Sequence, residues 1–183
     1  MSVSKRMATF IFFATVFAIS ISSQVSSLPI LIPALSVSAI SSVIGADRGA
    51  IKGQLVSLAP DANGKERSQE DKLKIYKAGL LKGTIEGSLF IPSIFLGPLT
   101  KMLSNKVAAD TLGIKDQRKV MKASLAAGMP IANAFPDYKA SVTASTLEVP
   151  NPFRSMVYSK SSSAGELDAL VQFKDKETKD AKE

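Results

Sequence analysis

The chain has 183 residues, of which 45% are hydrophobic and 21% are charged, and its formal net charge is +7. It contains no cysteine and no histidine, which excludes disulfides, zinc–thiolate sites, thiol nucleophiles and Ser-His-Asp catalysis. The basic residues are spread along the chain without an aromatic-rich basic cluster, so nucleic-acid binding is not predicted.

The first 27 residues have the pattern of a secretory signal peptide. Lys5 and Arg6 precede an uncharged apolar run over residues 7–21, in the order expected of such a peptide. Small residues follow, and cleavage between Ser27 and Leu28 fits them best. We therefore predict a signal peptide over residues 1–27 and a secreted mature chain. An uncleaved membrane anchor is the alternative.

Residues 28–58 are predicted to be an apolar N-terminal segment of the mature chain. Residues 28–46 carry no charge over nineteen positions, a length that could span a bilayer. Pro29, Pro33 and four serines weaken a helical span. The segment is thus predicted either to pack or meet a partner, or to lie in a membrane.

Residues 59–72 are polar and are predicted to form a loop. Asn63-Gly64 is a strong turn signal. The alternating oxygen ligands of a calcium loop are absent, so no metal site is predicted. Ser68 followed by Asp71 resembles part of a capping box, which predicts that a helix begins here.

Residues 73–130 are predicted to be the helical core. In the first part, apolar residues alternate with the lysines Lys74, Lys77 and Lys82, which are candidate contacts to a partner or an anionic membrane. Glycines recur every fourth residue at positions 79, 83 and 87, and such a row lets another helix approach closely. Core packing is the preferred interpretation of this helix, and contact with lipid or a partner is the alternative.

Residues 87–99 form a second uncharged run, which is too short to span a bilayer as a helix. It is predicted to belong to the core, with insertion into lipid or a partner's groove as the alternative. The candidate contact residues in this run are Phe90, Ile91, Ile94, Phe95 and Leu96.

A helical hairpin is the architecture that the sequence supports best. Pro98 suits the first position of a helix and Gly113 suits its end. A second helix is predicted over residues 114–127, before Gly128. Two consecutive helices with a short joint favour an antiparallel arrangement.

The C-terminal third shows weaker patterns. Residues 131–165 are predicted to be extended or irregular, with a strand over residues 139–149. Residues 166–183 are predicted to be a short helical turn followed by a disordered tail, because the last ten residues carry equal numbers of positive and negative charges.

These patterns predict a mainly α fold: a small helical domain containing a helical hairpin, with a poorly structured C-terminal region. We found no phosphate-binding loop and no G-x-S-x-G elbow, so no catalytic residue, cofactor, metal or small-molecule substrate is predicted. The predicted function is a secreted, non-enzymatic interaction protein, either effector-like or an extracellular structural component, that binds a protein partner or itself. The alternative is a membrane-associated protein held by residues 28–46 and 87–99, with its lysines near anionic lipid.

Overall fold

The computed structural model describes residues 31–128, 136–150 and 164–181, and these residues form helices joined by turns. The predicted mainly α fold class is confirmed. The helices are α1 (Leu31–Leu58), α2 (Gln69–Ser88), α3 (Phe90–Leu112), α4 (Gln117–Ala127), α5 (Pro136–Leu147) and α6 (Gly165–Asp180).

Helices α1 and α2 form an antiparallel pair whose backbones touch through glycine. The predicted glycine row of α2 packs against a matching row on α1, at Gly45, Gly49 and Gly53. A Cβ atom added to Gly49 would lie only 2.2 Å from the carbonyl oxygen of Gly79. Side chains larger than hydrogen are therefore excluded from this contact, and the backbones of the two helices touch directly.

The turn between α1 and α2 is shorter than the loop predicted over residues 59–72, because α2 begins at Gln69. Ser68 is the N-cap of α2, and its hydroxyl accepts a hydrogen bond from the backbone N–H of Asp71 at 3.1 Å. The same hydroxyl donates to the Asp71 carboxylate at 2.9 Å. Capping of this kind satisfies a backbone donor that the first helical turn leaves without a partner.

Helices α3 and α4 form the predicted hairpin. Gly113 ends α3 with a positive φ of 78°, a conformation that glycine adopts without steric strain. Helix α4 begins three residues later than predicted, because Asp116 caps it by accepting from the backbone N–H of Lys119 at 3.0 Å. Helix α3 bends at Leu96, whose φ and ψ are not helical, two residues before Pro98.

The strand predicted over residues 139–149 is wrong, because α5 occupies Pro136–Leu147. Residues 131–135 and 151–163 of the segment predicted to be extended lie outside the described residues. Ala140, Thr143, Ala144 and Leu147 recur at helical spacing, and all four are buried. The Thr143 hydroxyl donates to the carbonyl of Lys139 within the helix, so its burial leaves no unpaired donor. Packing of small side chains against neighbouring helices outweighs the weak strand propensity.

The short helical turn and disordered tail predicted over residues 166–183 are wrong for the described residues, because α6 continues to Asp180. Its first nine residues are buried, and Leu167 and Leu170 are among the largest fully buried side chains. Its charged second half is held by specific contacts, the strongest being two hydrogen bonds from the Arg67 guanidinium to Asp175 at 2.7 and 3.0 Å. Residues that resemble a solvated tail in composition therefore form ion pairs with the loop before α2.

Consecutive helices pack against each other along the whole described chain, and α6 also returns to contact α1 and α3. The core lies where α6 meets the other helices. Its central residues are Val56, Val120, Leu147, Leu167, Leu170 and Val171.

Candidate interaction surface and buried ionic cluster

A row of large aliphatic side chains is exposed along α1, and we call it the α1 outer face. At 100° per residue, Ile40 and Leu58 lie about 180° from Gly49, which is in the middle of the glycine contact. The members of this face are between 44% and 71% exposed: Val37, Ile40, Val43, Ile44, Ile51 and Leu58.

The α1 outer face has a seven-residue repeat. Val37, Ile44, Ile51 and Leu58 are spaced seven residues apart, and Ile40 lies three residues after Val37. In a coiled coil, two positions of each seven-residue repeat are apolar. Here the first position is aliphatic throughout, whereas the second holds Ile40, Asp47 and Gln54, so the seam is apolar along one row. Within residues 37–58, the exposed charged side chains are Asp47 and Arg48, which lie next to the middle of the seam.

A second apolar surface lies between α3 and α4. It is an open groove of about 280 Å³. Leu99 and Leu103 on α3 and Met121 on α4 are exposed beside it. Met121 and Leu125 are exposed, whereas Val120 and Ser124 lie on the buried side of α4.

Four charged side chains form an ionic cluster between α2, α3 and α6. The Lys101 ammonium lies 2.7 Å from Glu86 Oε1 and 2.7 Å from Glu166 Oε2. The Lys82 ammonium lies 2.8 Å from Glu86 and 3.6 Å from Glu166. Each ammonium therefore bridges both carboxylates, and three helices are tied together at one point.

Neutral polar side chains add further hydrogen bonds to the ionic cluster. Lys82 donates to the Asn105 side-chain oxygen, and the Asn105 amide in turn donates to the Ser124 hydroxyl on α4 at 3.1 Å. The Ser104 hydroxyl donates to Glu86 at 3.1 Å. The network therefore reaches a fourth helix. Within the described residues, one Glu166 oxygen, Oε1, has no hydrogen-bond partner.

The ionic cluster shifts the pKa values of Glu86, Glu166 and Lys101 in the directions that keep them charged. Burial alone would raise the pKa of Glu86, but the ammonium groups of Lys101 and Lys82 outweigh it and hold that pKa well below its ordinary value. The same balance lowers the pKa of Glu166. Burial would lower the pKa of Lys101, yet Glu166 and Glu86 raise it instead. Lys101 is therefore a poor proton acceptor near neutral pH.

Two further lysines lie at the edge of the ionic cluster. Burial lowers the pKa of Lys52 on α1, with Glu86 opposing the effect and Lys82 and Lys101 adding to it. Burial also lowers the pKa of Lys139 on α5. Both lysines are partly buried. The described structure shows no hydrogen bond or ion pair for their amines.

The arrangement is that of a structural junction. A catalytic lysine needs an accessible amine with a depressed pKa, and a catalytic serine needs a base and a substrate site. Lys101 has a raised pKa, and Ser104 is fully buried. The groove between α3 and α4 is not lined by Lys101, Ser104 or either carboxylate of the cluster.

Acid is expected to destabilise the protein through the ionic cluster. Because the pKa values of Glu86 and Glu166 are lower in the folded than in the unfolded chain, their stabilising contribution is complete above pH 4.5, the ordinary value, and is lost as the pH falls through their folded-state values. Urea unfolding from about pH 7 to about pH 3 should show this loss. A Glu86→Gln variant should have a lower stability at neutral pH and a shallower acid dependence.

The solvent-exposed Glu70 provides the control for this titration. Among the described residues, Glu70 pairs with Lys74, one helical turn away, and its side chain is 76% exposed. Glu70→Gln should therefore leave the acid dependence unchanged. If the stability of Glu86→Gln fell as steeply with acid as that of the unsubstituted chain, Glu86 would not be a source of the acid dependence.

The structure separates the candidate contact residues that the sequence grouped together. Lys74 is exposed and Lys77 is partly exposed, whereas Lys82 is buried and bound within the ionic cluster, which corrects its prediction as a contact residue. Leu96 is 50% exposed at the bend of α3. Phe90, Ile91, Ile94 and Phe95 lie in α3, but their side chains are outside the described part of the chain, as are Ser27 and Leu28.

Sequence reasoning missed the α1 outer face, although two signals for it were present. Gly45, Gly49 and Gly53 repeat the four-residue spacing of the α2 glycines, and the aliphatic residues opposite them repeat every seven. Of the helices in the described ranges, none is long and apolar enough to cross a bilayer. Those same ranges hold no group of acidic residues arranged to hold a metal ion.

Comparison of the chain with protein-family models, with curated proteins and with solved structures gives no match.

Proposed function

We propose that this protein is a secreted, non-enzymatic interaction protein that binds a protein partner through the α1 outer face. The observation that carries the proposal is a row of exposed aliphatic side chains, spaced seven residues apart, on one side of α1. The opposite side of α1 packs through glycines against α2. Soluble proteins rarely leave apolar patches of this kind uncovered unless they are binding surfaces. Secretion is proposed from the N-terminal pattern around Lys5 and Arg6.

Glycine packing prepares α1 for binding. An isolated helix must be ordered when it binds, which lowers its affinity. Here the contacts of Gly45, Gly49 and Gly53 with α2 hold α1 in place before any partner arrives. The energy of burying Ile44 and Ile51 against a partner is then available for affinity.

A protein partner fits the α1 outer face better than a lipid surface does. A helix lying in a membrane keeps its charged side chains away from the apolar side. In α1, Asp47 and Arg48 instead lie beside the middle of the seam, between Ile44 and Ile51. Both charges would lose hydration in lipid, whereas a protein can supply charged groups to pair with them.

The second candidate function is membrane association through the α3–α4 region. Leu96 and Leu99, at the bend of α3, are 50% and 56% exposed, and the uncharged run of residues 87–99 contains both. Flotation with liposomes tests it: binding that grows with anionic lipid and weakens with salt supports this candidate. A chain that stays at the bottom of the gradient under all lipid compositions rules it out.

Thiol labelling tests the proposed function, because the chain has no native cysteine. Ile51→Cys places a single thiol on the α1 outer face, and Leu73→Cys places one on α2, outside that face. Ile51 and Leu73 are equally exposed, at 51% each. In material from the producing cells, a maleimide should react at least about tenfold more slowly with position 51 than with position 73, because a partner excludes the reagent and a tenfold rate difference needs only about 1.4 kcal/mol. Equal rates would mean that nothing covers the face.

A further inference from the structure

The groove between α3 and α4 is a trough with an apolar floor. Its walls are consecutive helices, and the part lined by α3 runs from Leu99 to Lys106, about 10 Å or two helical turns. No residue of α1 is among the described residues that line it, so the groove is separate from the α1 outer face. Its apolar lining consists of Leu99, Met102 and Leu103 on α3 and of Val120 and Met121 on α4.

The apolar surface continues from the groove onto the outer side of α4. At about 100° per residue, Leu125 lies about 40° from Met121, in the direction away from the buried Val120. Met121 and Leu125 are 47% and 44% exposed. In the same direction, Arg118 lies about 60° and Lys122 about 100° from Met121. The α4 side of the groove therefore ends in a leucine and then in two basic residues.

The charges around the groove are mainly positive. Of its described lining residues, Lys106 alone carries a charge, and it approaches Asp110 at 3.5 Å in a pair that is more than half exposed. Such an exposed pair is weak, so Asp110 offsets Lys106 only in part. Arg118 and Lys122 are exposed, and within the described residues their side chains have no ion pair or hydrogen bond. This charge distribution favours an occupant that brings acidic groups.

The shape of the groove suits a helix better than a small molecule. Pockets for small molecules usually measure about 300–1,000 Å³ and cover most of the ligand. The α3–α4 groove measures about 280 Å³ and is open to solvent. A groove between helices instead accepts an amphipathic helix, whose apolar residues enter it at i, i+3 or i+4, and i+7. Met102 and Met121 supply flexible side chains that adapt to such residues.

A lipid surface fits the groove less well than a helix does. Lys106 lies seven residues after Leu99, and Asp110 lies seven residues after Leu103. Because seven residues are close to two turns, both charges are on the same side of α3 as the two leucines. A helix that lies in a membrane keeps its charges away from its apolar side. A partner helix of about two turns covers the leucines and leaves these charges at its end, in water.

We propose that the α3–α4 groove binds an amphipathic helix of a partner protein, with apolar residues of that helix in the groove and its acidic residues against Arg118 and Lys106. The groove is then a second binding surface of the chain. Because α1 takes no part in it, this inference goes beyond the proposed function and does not depend on the partner of the α1 outer face.

Selection from a displayed peptide library tests the occupant with the full chain. The library holds helical peptides with varied apolar residues at i, i+3, i+4 and i+7 and with glutamate or lysine elsewhere. Peptides that also bind the Leu103→Gln/Met121→Gln variant are removed. Both side chains are exposed and the net charge is unchanged, so the variant should fold, which circular dichroism checks. The remaining peptides should be rich in glutamate. Recovery of no peptide, or of peptides without an excess of glutamate, would overturn the inference.

Charge reversal tests whether Arg118 meets the acidic residues. Arg118→Glu should weaken the binding of a recovered acidic peptide at least about tenfold in fluorescence polarisation, and a lysine version of the peptide should bind this variant more tightly than the acidic version does. Lys74→Glu on α2 is the control, because it changes the net charge equally and lies outside the groove. If both substitutions weaken binding equally, the peptide responds to net charge and the inference is wrong.

Vesicles distinguish a helix from a membrane as the occupant. Vesicles of phosphatidylcholine and phosphatidylserine should not displace a recovered peptide from the chain. If these vesicles displace the peptide, and if they float the unsubstituted chain but not Leu103→Gln/Met121→Gln, the groove binds lipid. That result overturns the inference and supports the second candidate function instead.

Discussion

Replacing Gly83 with alanine is expected to lower the free energy of unfolding by about 3 kcal/mol, at the upper end of the usual penalty for overpacking. The new Cβ atom would lie 2.1 Å from the carbonyl oxygen of Gly45 and 2.7 Å from the Cα atom of Gly49. Both atoms belong to the backbone and cannot rotate away, so α1 and α2 must separate along their whole contact. Urea unfolding followed by circular dichroism measures the change.

The sign of this effect distinguishes close packing from helix propensity. In a helix without a neighbour, changing glycine to alanine stabilises by up to about 1 kcal/mol. Gln54→Ala, on the exposed side of α1, is the control and should change stability by no more than about 0.5 kcal/mol. A Gly83→Ala variant that is as stable as the unsubstituted chain would contradict the backbone contact.

Replacing Lys101 with methionine is expected to cost about 3–5 kcal/mol of stability, the usual penalty for removing one partner of a buried ion pair. The Lys101 ammonium contacts Glu86 and Glu166 at 2.7 Å each, and its side chain is 10% exposed. Without it, two carboxylates face each other with only Lys82 between them. The free energy of unfolding from urea titration at neutral pH is the measurement.

Lys106 on the same helix provides the matched control. Its side chain is 59% exposed, and it approaches Asp110 at 3.5 Å, one helical turn away. Lys106→Met should change stability by no more than about 0.5 kcal/mol, because exposed pairs contribute little. Adding Glu166→Gln to Lys101→Met should recover part of the loss by removing one unpaired charge. If Lys101→Met were as mild as Lys106→Met, the ionic cluster would not stabilise the fold.

The features predictable from the sequence are those set by local chemistry. The cap at Ser68, the end of α3 at Gly113 and the glycine row at positions 79–87 all depend on residues whose backbone or capping preferences are strong. Each of these predictions is confirmed. The helical hairpin follows from the terminator Gly113, since a short joint between two consecutive helices favours the antiparallel arrangement.

The features that sequence reasoning missed depend on contacts between distant segments. Residues 174–180 look like a solvated tail because their charges balance, but Arg67, more than a hundred residues earlier, binds Asp175. Lys82 looks like a surface lysine, but its ammonium lies 3.6 Å from Glu166 on α6 and donates to the side-chain oxygen of Asn105 on α3. A sequence pattern shows that a charge is present and does not show which charge faces it.

The α1 outer face is an intermediate case. Its repeat is visible in the sequence once α1 is known to be helical, but the helix was obscured by Pro29, Pro33 and the serines. Which side of α1 is buried depends on the glycines of α2, and that contact is tertiary. The site is therefore predictable only after the α1–α2 pairing is known.

The size of the protein complex in material from the producing cells tests the central claim most directly. Ile44→Glu/Ile51→Glu removes the apolar character of the α1 outer face, and Leu73→Glu places one such charge on a leucine of α2 that is as exposed as Ile51. The complex should be lost in the first variant, which then migrates at the size of one chain, and kept in the second. A double variant that migrates at the size of the unsubstituted protein's complex would contradict a binding role for this face.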